Sequence, residues 1–116
     1  RRDLITELYS LPKIPGSYEI EPIYSFPVNS LITGADYNEE LKLVALVGYD
    51  FNWNQYFYKI SNFDLSKMDQ TLIEKFKIPV GKAQIEAVKI INESSFWITS
   101  EDEGNGFPRL FKFKIN

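Results

Sequence analysis

The 116-residue chain contains no cysteine and no histidine. The first absence excludes disulfides, thiolate catalysis, iron–sulfur clusters and Cys-ligated zinc. The second removes the Ser–His–Asp triad, His-ligated metals and the imidazole proton shuttle. Long apolar runs are missing too. The longest, Leu43-Val44-Ala45-Leu46-Val47, falls far short of the roughly 20 residues that cross a bilayer. No secretory signal pattern is visible at the N-terminus. Glycine and proline number six each, and the glycines form neither a phosphate loop nor a dinucleotide fingerprint. Ser94, Ser95 and Ser100 lack a nucleophile-elbow context. A basic stripe is also lacking. Thirteen Lys and Arg against sixteen Asp and Glu give a net charge of −3, with the lysines scattered. Nucleic acid is therefore not an expected partner. The chain opens on Arg1-Arg2 and not on Met, so we expect it to be processed or cut from something longer.

What is present is globular and aromatic. Hydrophobic residues make up 44% and aromatic residues 16%, enough apolar surface to bury a core. The dominant pattern has period two. Phe76, Ile78 and Val80 alternate with Lys75, Lys77 and Pro79, and Phe111, Phe113 and Ile115 alternate with Lys112 and Lys114. Such alternation marks strands with one wet face. Helical periodicity is confined to a turn's worth at Leu65–Gln70. Strands are expected at Leu4–Leu11, Glu19–Phe26, Ser30–Tyr37, Lys42–Gly48, Tyr56–Ser61, Leu72–Ile78, Ile85–Ile91, Ser95–Ser100 and Arg109–Ile115. Asn38-Glu39-Glu40 and Asn92-Glu93-Ser94 provide two hairpin turns.

An internal repeat organises these strands. Ile23–Val28 and Lys75–Val80 are each a strand ending in Pro-Val, and Pro27 and Pro79 stand 52 positions apart. Each is followed by an Ala-containing strand, an Asn-Glu turn, an apolar strand, an irregular loop and an aromatic-Lys-apolar strand. The last are Tyr58-Lys59-Ile60 and Phe111-Lys112-Phe113. A period near 50 with four strands per unit is the pattern of a β-propeller blade. The expected fold is all-β, with antiparallel four-stranded blades. Residues 1–18 would be a lead-in, and residues 19–116 about two consecutive blades: 30–78 a full one, 85–116 three strands of the next.

Two runs carry a family resemblance: Ile32-Thr33-Gly34-Ala35-Asp36-Tyr37-Asn38 and Leu43-Val44-Ala45-Leu46-Val47-Gly48-Tyr49. They resemble bacterial extracytoplasmic β-propellers of poorly known function, similar to the SdiA-regulated and phytase-like propellers. Gln84-Ile85-Glu86-Ala87-Val88 looks like that group's Glu-Gly-Ile-type inner strand, with Ala87 where Gly is usual. The likeness spans about Ile20 to Ile115. It implies a periplasmic, outer-membrane-anchored or secreted location and, in some relatives, calcium or phosphoester chemistry.

Three features are candidates for chemistry. The acidic loop Glu101-Asp102-Glu103-Gly104-Asn105-Gly106 offers Glu101, Glu103 and Asn105 as alternate oxygen donors for calcium. Against this, Lys112 stands where an EF-hand would place its bidentate Glu, and a solvated turn explains the same glycines. Glu86 lies on an expected innermost strand, with Asp36 at a related place in the first repeat; either could bind a ligand, and Glu86 could act as a general base. Tyr49–Tyr58 interleaves rings with amides, and Trp53 is its candidate for contact with a sugar or peptide. The expected function is a non-catalytic binding or scaffold module of a cell-envelope propeller, with no required cofactor. Its partners would be the remaining blades or a second copy. The competing expectation is part of a metal-dependent hydrolase of phosphoesterase type, with its site completed by missing blades.

Overall fold

The computed structural model describes residues 5–80, 84–101 and 108–116. These residues form nine strands: β1 (Thr6–Leu8), β2 (Tyr24–Phe26), β3 (Leu31–Asn38), β4 (Leu43–Tyr49), β5 (Gln55–Ser61), β6 (Leu72–Ile78), β7 (Gln84–Asn92), β8 (Ser95–Glu101) and β9 (Arg109–Lys114). A single 3-10 turn, Met68–Gln70, interrupts them at the expected helical segment. Every strand pairing is antiparallel, in sheets ordered β1-β2, β3-β4-β5-β6 and β7-β8-β9. The protein is all-β. No helix among the described residues is long and apolar enough to cross a membrane.

The first two strands are shorter than alternation suggests. Of the expected Leu4–Leu11 the described residues are 5–11, of which Thr6–Leu8 are strand, and Glu19–Phe26 reduces to Tyr24–Phe26. Pro22 explains the loss: it lacks an amide donor and fixes its own φ, and in this register it would stand opposite Ser10, so the ladder stops short of it. Pairing resumes one residue past Pro22, where the Ile23 N–H donates to the Leu8 carbonyl at 2.8 Å.

The β3–β4 and β7–β8 ladders share their register from Ile32 to Tyr37 and from Ile85 to Ile90, and β7 then skips a further residue, Ile91. In the first unit Ile32 faces Gly48, Gly34 faces Val47, Ala35 faces Leu46 and Tyr37 faces Val44. In the second, Ile85 faces Ser100, Ala87 faces Thr99, Val88 faces Ile98 and Ile90 faces Phe96. Both ladders skip one residue at the same place, Thr33 and Glu86. Each is the extra residue of a β-bulge, which kinks its strand and re-aims its side chain. The Pro-Val corners also match: the Val28 N–H reaches the Phe26 carbonyl at 2.9 Å, and Val80 reaches Ile78 at 3.0 Å. The hairpin turns are held as their Asn residues suggest. Asn38 Oδ1 accepts from the Leu41 N–H and Asn92 Oδ1 from the Ser94 N–H.

Two cores follow from the period-two faces. Leu43, Ala45, Val47, Phe57 and Ile78 turn one face of the four-stranded sheet onto Ile85, Val88, Ile90, Phe96 and Ile98 of the three-stranded sheet. The Phe57 ring is the hinge of this contact, with centroids 4.4 Å from Phe96 and 5.2 Å from Phe113. Leu46, Tyr58 and Ile60 turn the opposite face onto Phe26 and Val28. The sheets thus stack head to tail: one face of each meets the other face of the next.

Candidate functional site

The two larger sheets approach closely where β3 meets β7. A Cβ on Gly34 would stand 2.7 Å from the Glu86 carbonyl oxygen and 3.0 Å from the Ala87 Cα, so only glycine permits this approach. Thr33, projected by its bulge, donates its hydroxyl to the Ile85 carbonyl at 2.6 Å. Gln55 Oε1 accepts from the Ile85 N–H at 3.0 Å. Asp36 Oδ2 accepts from the Ile90 N–H at 2.8 Å and lies 3.5 Å from Lys89 Nζ. The outer edge of β7 is therefore satisfied by side chains of the preceding sheet. Asp36, expected as a ligand-binding residue, is engaged as a structural acceptor here. Gln55 and Thr33 were not singled out by sequence. A buried amide opening an aromatic strand is the only trace Gln55 leaves there.

Glu86 and Glu101 are brought together. Gln84 faces Glu101 across the ladder, and the bulge sends the Glu86 carboxyl to the same neighbourhood. The Glu86 pKa is raised above its usual value, first by a carboxyl–carboxyl hydrogen bond with Glu101, then by that group's charge, then by burial. A carboxyl whose pKa is raised by a neighbouring carboxyl is suited to acid–base chemistry. The two carboxyls are also short of the roughly six to eight oxygens that calcium takes. Among the described residues no group of three or more acidic side chains could hold a metal. Glu103 and Asn105, the other two expected calcium ligands, lie outside the described residues.

Trp53 sits at the tip of a loop built around Asp50. The Asp50 carboxylate accepts from the N–H groups of Asn52 and Asn54 at 2.9 and 3.0 Å, from Asn54 Nδ2 at 3.0 Å and from the Tyr56 hydroxyl at 3.4 Å. These donors hold its pKa below the usual carboxylate value, with the Asn54 side chain foremost. Burial, then the Asp50 charge, pushes the Tyr56 phenol up. The closed loop forces Trp53 to a φ of 63°, a conformation rare for a bulky side chain. Its indole lies flat on Tyr49, with centroids 5.0 Å apart and planes 8° from parallel, and it stays 58% exposed. Phe51 beside it is also exposed. The run Asp50-x-Asn52-x-Asn54 is the sequence signal of this loop, because Asp carboxylates bond backbone amides two and four residues on.

A third feature has no counterpart in the sequence reading. A cleft of about 570 Å³ opens between β1 and the β3–β4 face, lined by Leu8, Ile32, Ala35, Tyr37, Val44 and Leu46 among others. Its walls are mostly apolar, with Glu7 and Asp36 at the margin.

No known family model, curated protein or solved structure matches the chain.

Proposed function

We propose that this chain is a stretch of propeller-type β repeats acting as a non-catalytic binding or scaffold module in the bacterial cell envelope. The observation that carries this reading is the repeated register of β3–β5 and β7–β9, stacked head to tail with inner strands β3 and β7 side by side. Units that each leave one apolar face open gain stability by stacking on a neighbour. Four strands joined in simple up-and-down order, as in β3-β4-β5-β6, are the content of one blade. The envelope location follows from the family resemblance of Ile32–Asn38 and Leu43–Tyr49.

The binding surface in this reading is the Tyr49–Trp53 platform with Phe51. Its indole is exposed and stacked on Tyr49, and Asn52 and Asn54 border it, which suits a neutral carbohydrate or a peptide. Asp36 and Asp50 favour a non-catalytic role, since both carboxylates are occupied by backbone N–H groups. The test is a titration of neutral oligosaccharides and short peptides followed by amide NMR, on the wild type and Trp53→Ala. Shifts confined to residues 49–56 and abolished by Trp53→Ala are expected. An unchanged spectrum for every compound, or shifts indifferent to Trp53→Ala, would remove the platform from the proposal.

One observation favours a second reading, a hydrolase site shared with further repeats: the Glu86 carboxyl beside Glu101, which raises the Glu86 pKa. Calcium-dependent cleavage of p-nitrophenyl phosphate, lost in Glu86→Gln, would establish it.

A further inference from the structure

The two stacked sheets allow a position-by-position comparison of what covers each one. In the second sheet, Ile85, Val88, Ile90, Phe96 and Ile98 are buried, with Leu43, Ala45 and Val47 of β4 and Phe57 and Ile78 of β5 and β6 in the same core, and β3 and β4 packed along β7. The equivalent residues of the first sheet, by register, are Ile32, Ala35, Tyr37, Val44 and Leu46. These five line the 570 Å³ cleft. Tyr37 is 50% exposed where its equivalent Ile90 is 6% exposed. Ala35 is exposed where Val88 is buried. The cleft is thus the same surface as the established sheet–sheet interface, with its cover removed.

The strands beside the cleft define what the cover is. β2 runs into Pro27-Val28 as β6 runs into Pro79-Val80, with the same corner hydrogen bond. β1 pairs β2 antiparallel as β5 pairs β6. Phe26 and Val28 pack on the first sheet as Ile78 and Val80 pack on the second. β1–β2 is therefore the second half of a repeat unit. Among the described residues β1 carries a partner strand on one side only, and its other edge borders the cleft. We infer that the cleft is the seat of a two-stranded antiparallel ribbon, the first half of that unit. It lies alongside β1 on the side away from β2 and lays an aliphatic face on Ile32, Ala35 and Val44.

Its chemistry is specified by the existing joint. Facing positions carry small and aliphatic side chains, as Gly34, Leu43, Ala45 and Val47 do. An acceptor side chain meets the Tyr37 N–H, as Asp36 meets that of Ile90, while Thr6 of β1 already stands where Gln55 stands on β5. A strand added to an open edge gains main-chain hydrogen bonds, and alternate side chains set its specificity. A second copy of the chain does not fit this description. The only outward face of its β7–β8 ribbon places Trp97 where Ala45 stands and Lys89 where Asp36 stands. Its β9 would also take the position that β1 already holds. The inference requires the repeated register alone and is independent of whether the repeats close into a ring or bind a sugar.

The test adds the missing cover. A copy of residues 31–54 is placed directly ahead of Thr6, in place of the residues before it, so that Asp50–Asn54 joins the added ribbon to β1 as it joins β4 to β5. The expected result is a higher melting temperature and slowing of amide exchange at Tyr37 by about tenfold or more. Ala35→Lys should cancel both gains in the extended chain while leaving the melting temperature of the unextended chain unchanged. An extended chain with unaltered melting and exchange overturns the inference, as does a gain that survives Ala35→Lys. Should the extension block folding, a cyclised hairpin peptide of Leu31–Tyr49 is titrated onto the unextended chain. Shifts at Ile32, Ala35 and Val44 support the ribbon, and their absence overturns it.

Discussion

Gly34→Ala isolates the contact on which the stacking of the two sheets depends. The new Cβ would lie 2.7 Å from the Glu86 carbonyl oxygen, 3.0 Å from the Ala87 Cα and 3.1 Å from Val47 Cγ2. Two of these atoms are backbone of β7 and cannot rotate away. Either the sheets separate by a few tenths of an ångström or β3 shifts in its ladder. Overpacking of this kind costs about 1–3 kcal/mol. At about 2.1 cal/mol/K per residue the unfolding entropy of the chain is roughly 240 cal/mol/K, so each kcal/mol moves the melting temperature by about 4 °C. The expected fall is about 4–12 °C. The opposing effect has the other sign. Without a clash, replacing glycine by alanine stabilises by about 0.4–1 kcal/mol through the unfolded chain, a rise of a few degrees. Gly16→Ala is the control: its nearest atoms belong to the Tyr18 side chain, which can turn aside. Thermal melts by circular dichroism decide between the signs. A Gly34→Ala variant that melts at or above the wild type would refute the close approach of β3 to β7. The pair Gly34→Ala with Ala87→Gly should not recover, because the obstruction is backbone.

Phe57→Ala removes the ring shared by Phe96, Phe113 and Phe76. A loss of about 3–5 kcal/mol is a large part of a net stability of about 5–15 kcal/mol, so the denaturant midpoint should drop sharply. Asp36→Ala leaves the Ile90 N–H without its acceptor, with an expected loss of about 1–3 kcal/mol and faster amide exchange at Ile90. Glu86→Gln should raise the melting temperature at neutral pH and leave it unchanged near pH 3. The folded-state pKa of Glu86 is raised, so the group favours folding while protonated and loses that contribution as pH rises through its folded pKa. Asp64 has the opposite sign. Hydrogen bonds from Ser66 and then Lys42 lower its pKa, so the benefit it confers is complete above the ordinary carboxylate range and fades as pH falls through its folded value. Asp64→Asn should therefore narrow the melting difference between pH 7 and acid.

The strands and their repetition are legible in the sequence because both rest on local rules. Alternation in Phe76–Val80 and Phe111–Ile115 states which side chains are inside, and the twin Pro-Val corners state the period. The bulges are not legible. Nothing in the alternation marks Thr33 or Glu86 as the residue that each ladder omits, yet that omission aims Thr33 at Ile85 and Glu86 at Glu101. Asp36 shows the complementary difficulty. Its residue type suits a ligand, and only its distance to the Ile90 amide reveals a structural acceptor. Trp53 is legible as an exposed ring, since rings outside the alternating pattern have no core to enter. Its left-handed backbone is dictated by the Asp50 ring of hydrogen bonds, which long side-chain reach creates and local propensity does not.

The capping of the β7 edge by Gln55, Thr33 and Asp36 has an evolutionary consequence. These side chains contact the main chain of the next unit, and main chain is the same whatever residue carries it. These hydrogen bonds therefore place no demand on which side chains the receiving strand carries, and its buried Ile85, Val88 and Ile90 answer only to the packing of the core. Copies of such a unit can drift far apart, as Leu43 and Ser95 or Ala45 and Trp97 have at matched positions, while the geometry that joins them persists. Similarity between units would then fade from sequence long before it fades from shape.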